Sequence, residues 1–192
     1  MKKNSIIFIV IGVVALLLVF WAIGAYNNFI SLDQNVNSKW SEVENQYQRQ
    51  ADLIPNLVSV VGSAVKVETN FVKEVIAART GYQDAKTQVE KDKAGVEMNS
   101  QVSTFINAVA ENYPTLVANT QYVALTDELS GTQNRITTAR GRYIESIQSY
   151  NVATKKFPSN IFAGVFGFGQ KEYYQAKEGA TNTPVLGSGV LP

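Results

Sequence analysis

Apolar residues recur along most of the chain at intervals of three and four, the spacing that places side chains on one face of an α-helix. One series occupies residues 29–82 in a single heptad frame, a second occupies 122–157, and a shorter one lies at 89–109. Polar residues interrupt the core positions of the first series at Asp33, Gln50 and Glu68. Alternation with a period of two, typical of strands, does not persist. The pattern predicts an all-α body.

An uncharged apolar run, residues 6–25, precedes these series. About 20 apolar residues in a helix span a hydrocarbon core of about 30 Å. Trp21 and Tyr26 lie at the far end of the run, where amphipathic rings prefer the membrane interface. The run therefore predicts a single transmembrane helix over residues 6–25.

Lys2 and Lys3 set the predicted orientation of this helix, because basic flanks stay on the cytoplasmic side. We expect a single-pass cell-membrane protein with residues 1–5 in the cytoplasm and the helical body outside it. A cleaved signal peptide is the competing interpretation, with residues 22–24 as the cleavage site. We favour the anchor because the apolar core of a signal peptide usually has only about 7–15 residues.

Polar and proline-containing segments divide the helical body. Gly81 and the polar residues 84–88 predict one connection. The next helix is expected to end at 112–114, because the residue before a proline avoids helical backbone angles. Pro114 itself suits the first turn of the following helix. With a last boundary at 157–160, the heptad pattern predicts coiled-coil-like packing in an antiparallel four-helix bundle of the up-and-down type over residues 26–160.

Pro55 lies inside the first heptad series, which continues through it and so favours one kinked helix. Asp52 is a suitable N-cap, however, and would place Pro55 in a first turn, where its missing N–H costs nothing. An interior proline costs about 3 kcal/mol or more. We therefore favour a corner or sharp kink, with Arg49 and Asp52 paired across it and Asn56 satisfying a stray backbone group.

Residues 161–177 combine aromatic residues with glycines, which lower helix propensity. The phenylalanines of this segment are Phe162, Phe166 and Phe168. We expect the segment to pack over the bundle end, with Tyr173 and Tyr174 on a short docked helix. The competing hypothesis is an aromatic loop that inserts into a membrane surface or a partner's groove. Residues 178–192 have the composition of a disordered terminus.

The composition argues against enzymatic chemistry. The 192-residue chain contains no histidine and no cysteine, and its formal net charge is +1. Histidine is the commonest general base and metal ligand, and cysteine supplies thiolate nucleophiles and lipid attachment sites. A broad basic face for nucleic acid is also missing. We therefore predict no enzyme, no catalytic, cofactor or metal site, and no nucleic-acid partner.

Short motifs follow one another in a distinctive order along the chain. They are Tyr26-Asn27, Trp40-Ser41, Arg49-x-Ala51-Asp52-Leu53-Ile54-Pro55-Asn56-Leu57, Ala78-Arg79, Tyr113-Pro114, Leu125-x-x-Glu128-Leu129, Ala139-Arg140-x-x-Tyr143, Tyr150-Asn151 and Phe157-Pro158-Ser159-Asn160. In this series the chain resembles the LemA family of small bacterial membrane proteins. The resemblance implies an N-terminal anchor and an antiparallel four-helix bundle, and it implies no established enzymatic activity. Asn134 and Ile144 depart from the family pattern without disturbing the fold assignment.

A short motif, a small residue followed by arginine, occurs twice, at Ala78-Arg79 and Ala139-Arg140. Arginine on a bundle seam most often lies along apolar neighbours or pairs with a carboxylate on a facing helix. Candidate carboxylates are Glu44, Glu68, Glu111 and Glu128. We interpret both arginines as structural, and the alternative is a polar patch that receives a partner helix.

The combination of an anchor with a helical body predicts a non-enzymatic, membrane-anchored scaffold or adaptor for other envelope proteins. Its protein partner is not identified by the sequence. The alternative is a self-assembling, membrane-organising protein that forms homo-oligomers. The candidate partner-binding or structural polar positions are Arg49, Asp52, Asn56, Arg79, Arg140, Phe162, Phe166 and Phe168.

Overall fold

A computed structural model describes residues 3–64 and 69–173, and within these ranges the chain is helical without strands. The elements are α1 (Lys3–Ala64), α2 (Thr69–Asp84), α3 (Gln88–Asn112), α4 (Thr120–Lys155) and α5 (Ser159–Phe166), with a 3-10 turn at Leu116–Ala118. The all-α prediction is confirmed.

The chain divides into two compact units. The unit that we call the anchor unit comprises Met1–Asp33 and Ile144–Pro192, and the core unit comprises Gln34–Tyr143. In the anchor unit, the large apolar side chains of α1 between Ile6 and Ile23 are 40–73% exposed. By length and composition, this part of α1 is suited to cross a membrane. An apolar helix with this much exposure needs an apolar environment, as predicted for residues 6–25.

The apolar core of the core unit is built from the heptad series. Its buried members include Trp40, Val43, Tyr47, Ile54, Leu57, Val61, Val75, Tyr82, Val102, Phe105, Val109, Tyr122, Leu129, Ile136 and Ala139. Each large apolar side chain contributes about 1.5–3 kcal/mol on full burial. Helical periodicity therefore identified the residues whose burial stabilises this unit.

Contacts between helices of the core unit fix their relative directions. α2 runs antiparallel to α1, α3 runs parallel to α1, and α4 runs antiparallel to α3. The pairs are Tyr82–Glu44 and Arg79–Ala51, then Lys91–Glu44 and Asn99–Gln50, then Gln88–Tyr143 and Ser103–Gln133. These are the directions of an up-and-down four-helix bundle, which stays our interpretation of the contacts.

Pro55 lies inside α1, which continues to Ala64, so the corner between two helices is wrong, and the sharp kink that we favoured beside it stays a prediction. Ile54 and Leu57, on either side of the proline, are fully buried. Burial of these side chains and of others on the same stripe stabilises the continuous helix by more than the roughly 3 kcal/mol that an interior proline costs. The heptad frame was the better guide here.

The polar segment after α2 caps the next helix. α2 ends at Asp84 and α3 begins at Gln88, as expected, although Gly81 belongs to α2. Thr87 Oγ1 accepts the backbone N–H of Glu90 at 3.2 Å, and the Glu90 carboxylate accepts the backbone N–H of Thr87 at 3.0 Å. This reciprocal capping box satisfies N–H groups that the first turn of a helix leaves without partners.

Pro114 does not open the next helix, contrary to the prediction. α3 ends at Asn112, as expected, and Pro114 lies in a turn that leads into the 3-10 segment Leu116–Ala118. α4 begins only at Thr120. Asn119 Oδ1 accepts two backbone N–H groups of its first turn at 2.9 and 3.1 Å. A side-chain cap therefore starts α4, and the proline only ends the helix before it.

The aromatic segment contains a helix at an unexpected place. α5 covers Ser159–Phe166, and Gly167 terminates it with a left-handed φ of 77° that glycine adopts without strain. Tyr173 lies outside any helix, so the docked helix predicted around it is wrong. Tyr174 and the tail 178–192 lie outside the described residues.

Gly95 and Gly141 offer a matched test of packing in the core unit. A Cβ on Gly95 would lie 2.7 Å from the Tyr47 ring, whereas a Cβ on Gly141 would meet nothing within 4 Å. We expect Gly95→Ala to destabilise the protein by about 1–3 kcal/mol through overpacking. Gly141→Ala should stabilise it by up to about 1 kcal/mol through helix propensity. Guanidinium unfolding in detergent, followed by helical circular dichroism, measures both, and equal effects would contradict the packing.

Candidate functional site

Arg79 occupies the place that Pro55 leaves open. In an α-helix the N–H of residue 55 would donate to the carbonyl of Ala51, and proline has no N–H. Arg79 Nε of α2 donates to that carbonyl at 2.8 Å. Asn56, predicted to satisfy such a group, is exposed and makes no side-chain hydrogen bond within the described ranges. A hydrogen bond therefore joins the motif that contains Pro55 to the motif that contains Arg79, although the two residues lie 24 positions apart (55 and 79).

Arg49 pairs across to α4 and not with Asp52 as predicted. Its Nε donates to Glu128 Oε1 at 2.9 Å, and its Nη2 contacts the same oxygen. Asp52 instead accepts a hydrogen bond from Gln48 at 2.8 Å, one turn earlier on α1. Arg135 also reaches Glu128 Oε1, at 3.3 Å. Glu128 on the facing helix accepts hydrogen bonds from two nitrogens of Arg49. Asp52 is therefore not the partner of Arg49.

Arg140 contacts Asp92 of α3, at 3.5 Å between Nε and Oδ1, a carboxylate that the sequence analysis did not consider. Both side chains are largely buried. Burial raises the pKa of Asp92, and the charge of Arg140 opposes that shift. Burial and the Asp92 charge also raise the pKa of Tyr143, which accepts a hydrogen bond from Gln88. The arrangement holds an ion pair within the core unit, as the structural interpretation of Arg140 expected.

Gln50 is fully buried, and its Nε2 donates to Asn99 Oδ1 at 2.9 Å. The neighbouring Tyr82 donates to the carbonyl of Glu44 at 3.2 Å. Burial, with the charges of Glu44 and Asp52, raises the pKa of Tyr82 to about 12. Tyr82 is therefore a neutral hydrogen-bond donor over the physiological range.

An open groove lies between α1 and α4 of the core unit, with a volume of about 440 Å³. Its walls carry polar and charged side chains around a single apolar residue. They are Glu42, Asn45, Gln46, Asn134, Arg135, Thr138, Ala139 and Arg142. We call this surface the polar groove, and it is the best candidate for a binding site in the core unit.

The arginines that line the polar groove are about half exposed. Arg142 Nη1 lies 3.8 Å from Glu42 Oε2, and Arg142 is 61% exposed. Arg135 is 47% exposed and is the more distant of the two arginines on Glu128. Lys39 also contacts Glu42. The spacing of seven between Arg135 and Arg142 places them on one side of α4, a signal that the sequence analysis did not use.

The three phenylalanines of the aromatic segment 161–177 contact α1 within the anchor unit. Phe162 packs edge-on against Trp21 with ring centroids 5.2 Å apart, and Phe166 packs against Tyr26 at the same distance. Phe168 lies 5.1 Å from the ring of Phe29. These contacts favour the packing interpretation of the tail over a free aromatic loop, because all three rings are engaged within the chain.

Asn151 of α4 holds the segment after α5. Its Oδ1 accepts the backbone N–H of Lys171 at 2.9 Å, and its Nδ2 donates to the carbonyl of Lys171 at 2.8 Å. Lys171 Nζ pairs with Asp33 of α1 at 2.8 Å and lies 5.3 Å from the ring centre of Tyr150. The Tyr150-Asn151 motif therefore fixes the segment around Lys171 against α4.

A sequence profile of the LemA family matches residues 39–186. The chain belongs to the LemA family. The family motifs now have structural partners: Arg79 with the carbonyl of Ala51, Arg49 with Glu128, and Asn151 with Lys171. The resemblance inferred from the motifs is thereby confirmed.

Relatives of this LemA protein include two magnetosome proteins and a protein LemA. The chain is 27% identical over 186 residues to magnetosome protein MamQ 2 of Paramagnetospirillum magneticum, covering 84% of this chain and 68% of that protein. Magnetosome protein MamQ of Magnetospirillum gryphiswaldense shows the same identity and coverage. Protein LemA of Metamycoplasma hominis is 28% identical over 133 residues, covering 67% of this chain and 54% of that protein.

The hydrogen bond from Arg79 to the Ala51 carbonyl, which Pro55 leaves without a backbone donor, predicts that changes at residues 55 and 79 have coupled effects on stability. Arg79→Ala leaves the Ala51 carbonyl without its donor and should cost about 2 kcal/mol. Pro55→Ala restores the backbone N–H, so in that background the same arginine change should cost at least about 1 kcal/mol less. Unfolding midpoints of both single variants and the double variant measure the coupling.

Arg49→Ala is the matched control for this cycle, because the Arg49 side chain is 57% exposed. Its loss should cost no more than about 1 kcal/mol, and equally in both backgrounds. Strict additivity of the changes at Pro55 and Arg79 would show that Arg79 does not replace the missing N–H.

Glu90 and Asp92 predict opposite dependences of stability on pH. Hydrogen bonds from the backbone of Thr87 and Lys86 lower the pKa of Glu90, so its contribution is present above its ordinary pKa and lost as pH falls through the folded value. Burial raises the pKa of Asp92, so its ionisation destabilises the fold near neutral pH and acid relieves this.

Glu90→Gln should therefore flatten the loss of stability on acidification, and Asp92→Asn should steepen it. Unfolding midpoints measured across the acidic range from neutral pH test both variants side by side. If both variants changed the pH dependence of stability in the same direction, the pKa shift assigned to Glu90 or to Asp92 would be wrong.

Proposed function

We propose that this protein is a non-enzymatic, membrane-anchored adaptor whose polar groove receives an acidic segment of a partner protein. The observation that carries the proposal is the pair of half-exposed arginines, Arg135 and Arg142, on one wall of that groove. The premise of the proposal is that this chain is a helical, membrane-associated member of the LemA family.

The chemistry of the groove suits a carboxylate-bearing partner. A guanidinium binds carboxylates with two parallel hydrogen bonds, and arginine is enriched among residues that dominate binding energy. An exposed ion pair as long as that of Arg142 with Glu42 contributes little to stability. Arg142 can therefore exchange Glu42 for a partner's carboxylate at small cost.

The absence of histidine and cysteine from the sequence supports a role without catalysis. Carboxylates alone can catalyse hydrolysis only as a pair that flanks the reacting bond. Glu42 is the single carboxylate that lines the polar groove, and Lys39 and Arg142 both contact it. These observations favour recognition over acid–base chemistry at this surface.

The exposed apolar part of α1 supports attachment to the cell membrane as a single-pass protein. Lys2 and Lys3 precede it, so the positive-inside rule places the N-terminus in the cytoplasm and the residues after the anchor on the other side. The adaptor would then meet its partner outside the cytoplasm.

Site-directed photo-crosslinking tests the adaptor proposal in intact cells. A benzophenone amino acid at Thr138, on the groove wall, should give one dominant product with another protein when the full chain is expressed at native level. Arg142→Glu should reduce that product at least about fivefold, since it places an acidic side chain where the partner's carboxylate binds.

Lys93→Glu is the charge-matched control, because Lys93 is exposed on α3 and does not line the groove. Its product should match that of the unchanged protein. Equal loss in both variants, or no loss in either, would contradict recognition by the groove. A ladder containing only this chain would favour the self-assembling, membrane-organising alternative.

A further inference from the structure

The outward side of α5 is apolar and has no partner among the described residues of the anchor unit. Val165 is 74% exposed and Ile161 is 55% exposed, while Phe157, just before the helix, is 75% exposed. Phe162 and Phe166 contact α1 from the same short helix. α5 therefore packs against α1 with one side and presents large apolar side chains on another.

The ring contacts fix where along α1 this short helix lies. Phe162 reaches Trp21 and Phe166 reaches Tyr26. Trp21 lies near the C-terminal end of the apolar run 6–25, and Tyr26 directly follows it. Aromatic side chains at the end of a membrane helix concentrate in the interfacial layer. A helix held against Trp21 and Tyr26 must lie in or beside the same layer.

The charges around α5 match a membrane surface. Residues 146–171 contain three lysines and no acidic residue. Lys171 is neutralised by Asp33, whereas Lys155 and Lys156 are exposed immediately before Phe157. Lysines near an apolar face are attracted to anionic headgroups while the apolar side chains enter the acyl boundary.

We propose that α5 is an interfacial helix, a second membrane contact that lies in the headgroup layer at the C-terminal end of the transmembrane segment. Phe157, Ile161 and Val165 face the acyl chains, and Lys155 and Lys156 contact the headgroups. Eight residues give a helix about 12 Å long, too short to span the membrane but sufficient to lie along its surface. The lipid is favoured over a protein partner because α5 packs, through Phe162 against Trp21, on the part of α1 that itself faces lipid.

The inference depends on the anchor in α1 and is independent of partner binding in the polar groove. It predicts the depth of individual side chains, which single labels measure directly. The chain has no cysteine, so a variant with one introduced cysteine carries one label.

Val165→Cys and Ile161→Cys should be labelled with the fluorophore NBD and reconstituted, as full chains, in phosphatidylcholine–phosphatidylglycerol vesicles. Leu17→Cys in the apolar run is the deep reference, and Gln148→Cys, exposed on α4, is the aqueous reference. Nitroxide lipids labelled at a shallow or a deep acyl position, and iodide in the buffer, serve as quenchers. Helical circular dichroism confirms that each labelled variant has folded.

We expect the shallow nitroxide to quench the α5 labels at least about twofold more than the deep one, with the reverse order at Leu17. Iodide should quench Gln148 but leave the α5 labels largely protected. Replacing Lys155 and Lys156 with glutamate should weaken shallow quenching in anionic vesicles. Iodide access at Val165 and Ile161 equal to that at Gln148 would overturn the proposal. Failure of lipid quenching at Leu17 would overturn it together with its premise, the anchor.

Discussion

The carbonyl of Ala51 needs a donor from outside its own helix, because Pro55 cannot supply the backbone N–H that an α-helix places there. Arg79 donates to it from α2. The contact fixes the register of α2 against α1, and one turn farther along α2 the hydroxyl of Tyr82 reaches the Glu44 carbonyl. A defect in one helix thus becomes a specific attachment point for its neighbour, and the buried apolar stripe continues through the proline uninterrupted.

Buried polar side chains add specificity to a core whose apolar contacts alone are not directional. Gln50 with Asn99 joins α1 to α3, and Asp92 with Arg140 joins α3 to α4. A shift of either helix by one turn would leave these groups buried without partners, at a cost of about 1–3 kcal/mol for each group. We interpret both pairs as determinants of helix register, a role best known from coiled coils.

Sequence reasoning located the helical class, the core stripe and the α2–α3 connection because these depend on local periodicity and capping. It misjudged Pro55 because the compensating donor, Arg79, lies 24 positions away (55 and 79) on another helix. Arg49 was assigned to Asp52 for the same reason, since its partner Glu128 belongs to α4. The helix at Ser159–Phe166 was missed because its glycine lowers propensity and only contact with α1 compensates for that. The polar groove could have been anticipated only from the heptad spacing of its arginines.

Burial separates the arginines of the core unit into two chemical roles. Arg140 is 19% exposed and Arg79 is partly buried, and each contacts a group that would otherwise lack compensation inside the fold. Arg142 and Arg135 are 61% and 47% exposed, so water screens their ion pairs. The ion pairs of Arg142 and Arg135 therefore contribute little to the stability of the fold. Their position on one wall of a polar groove is better explained by recognition of a carboxylate outside the chain, where desolvation on binding would strengthen the same interaction.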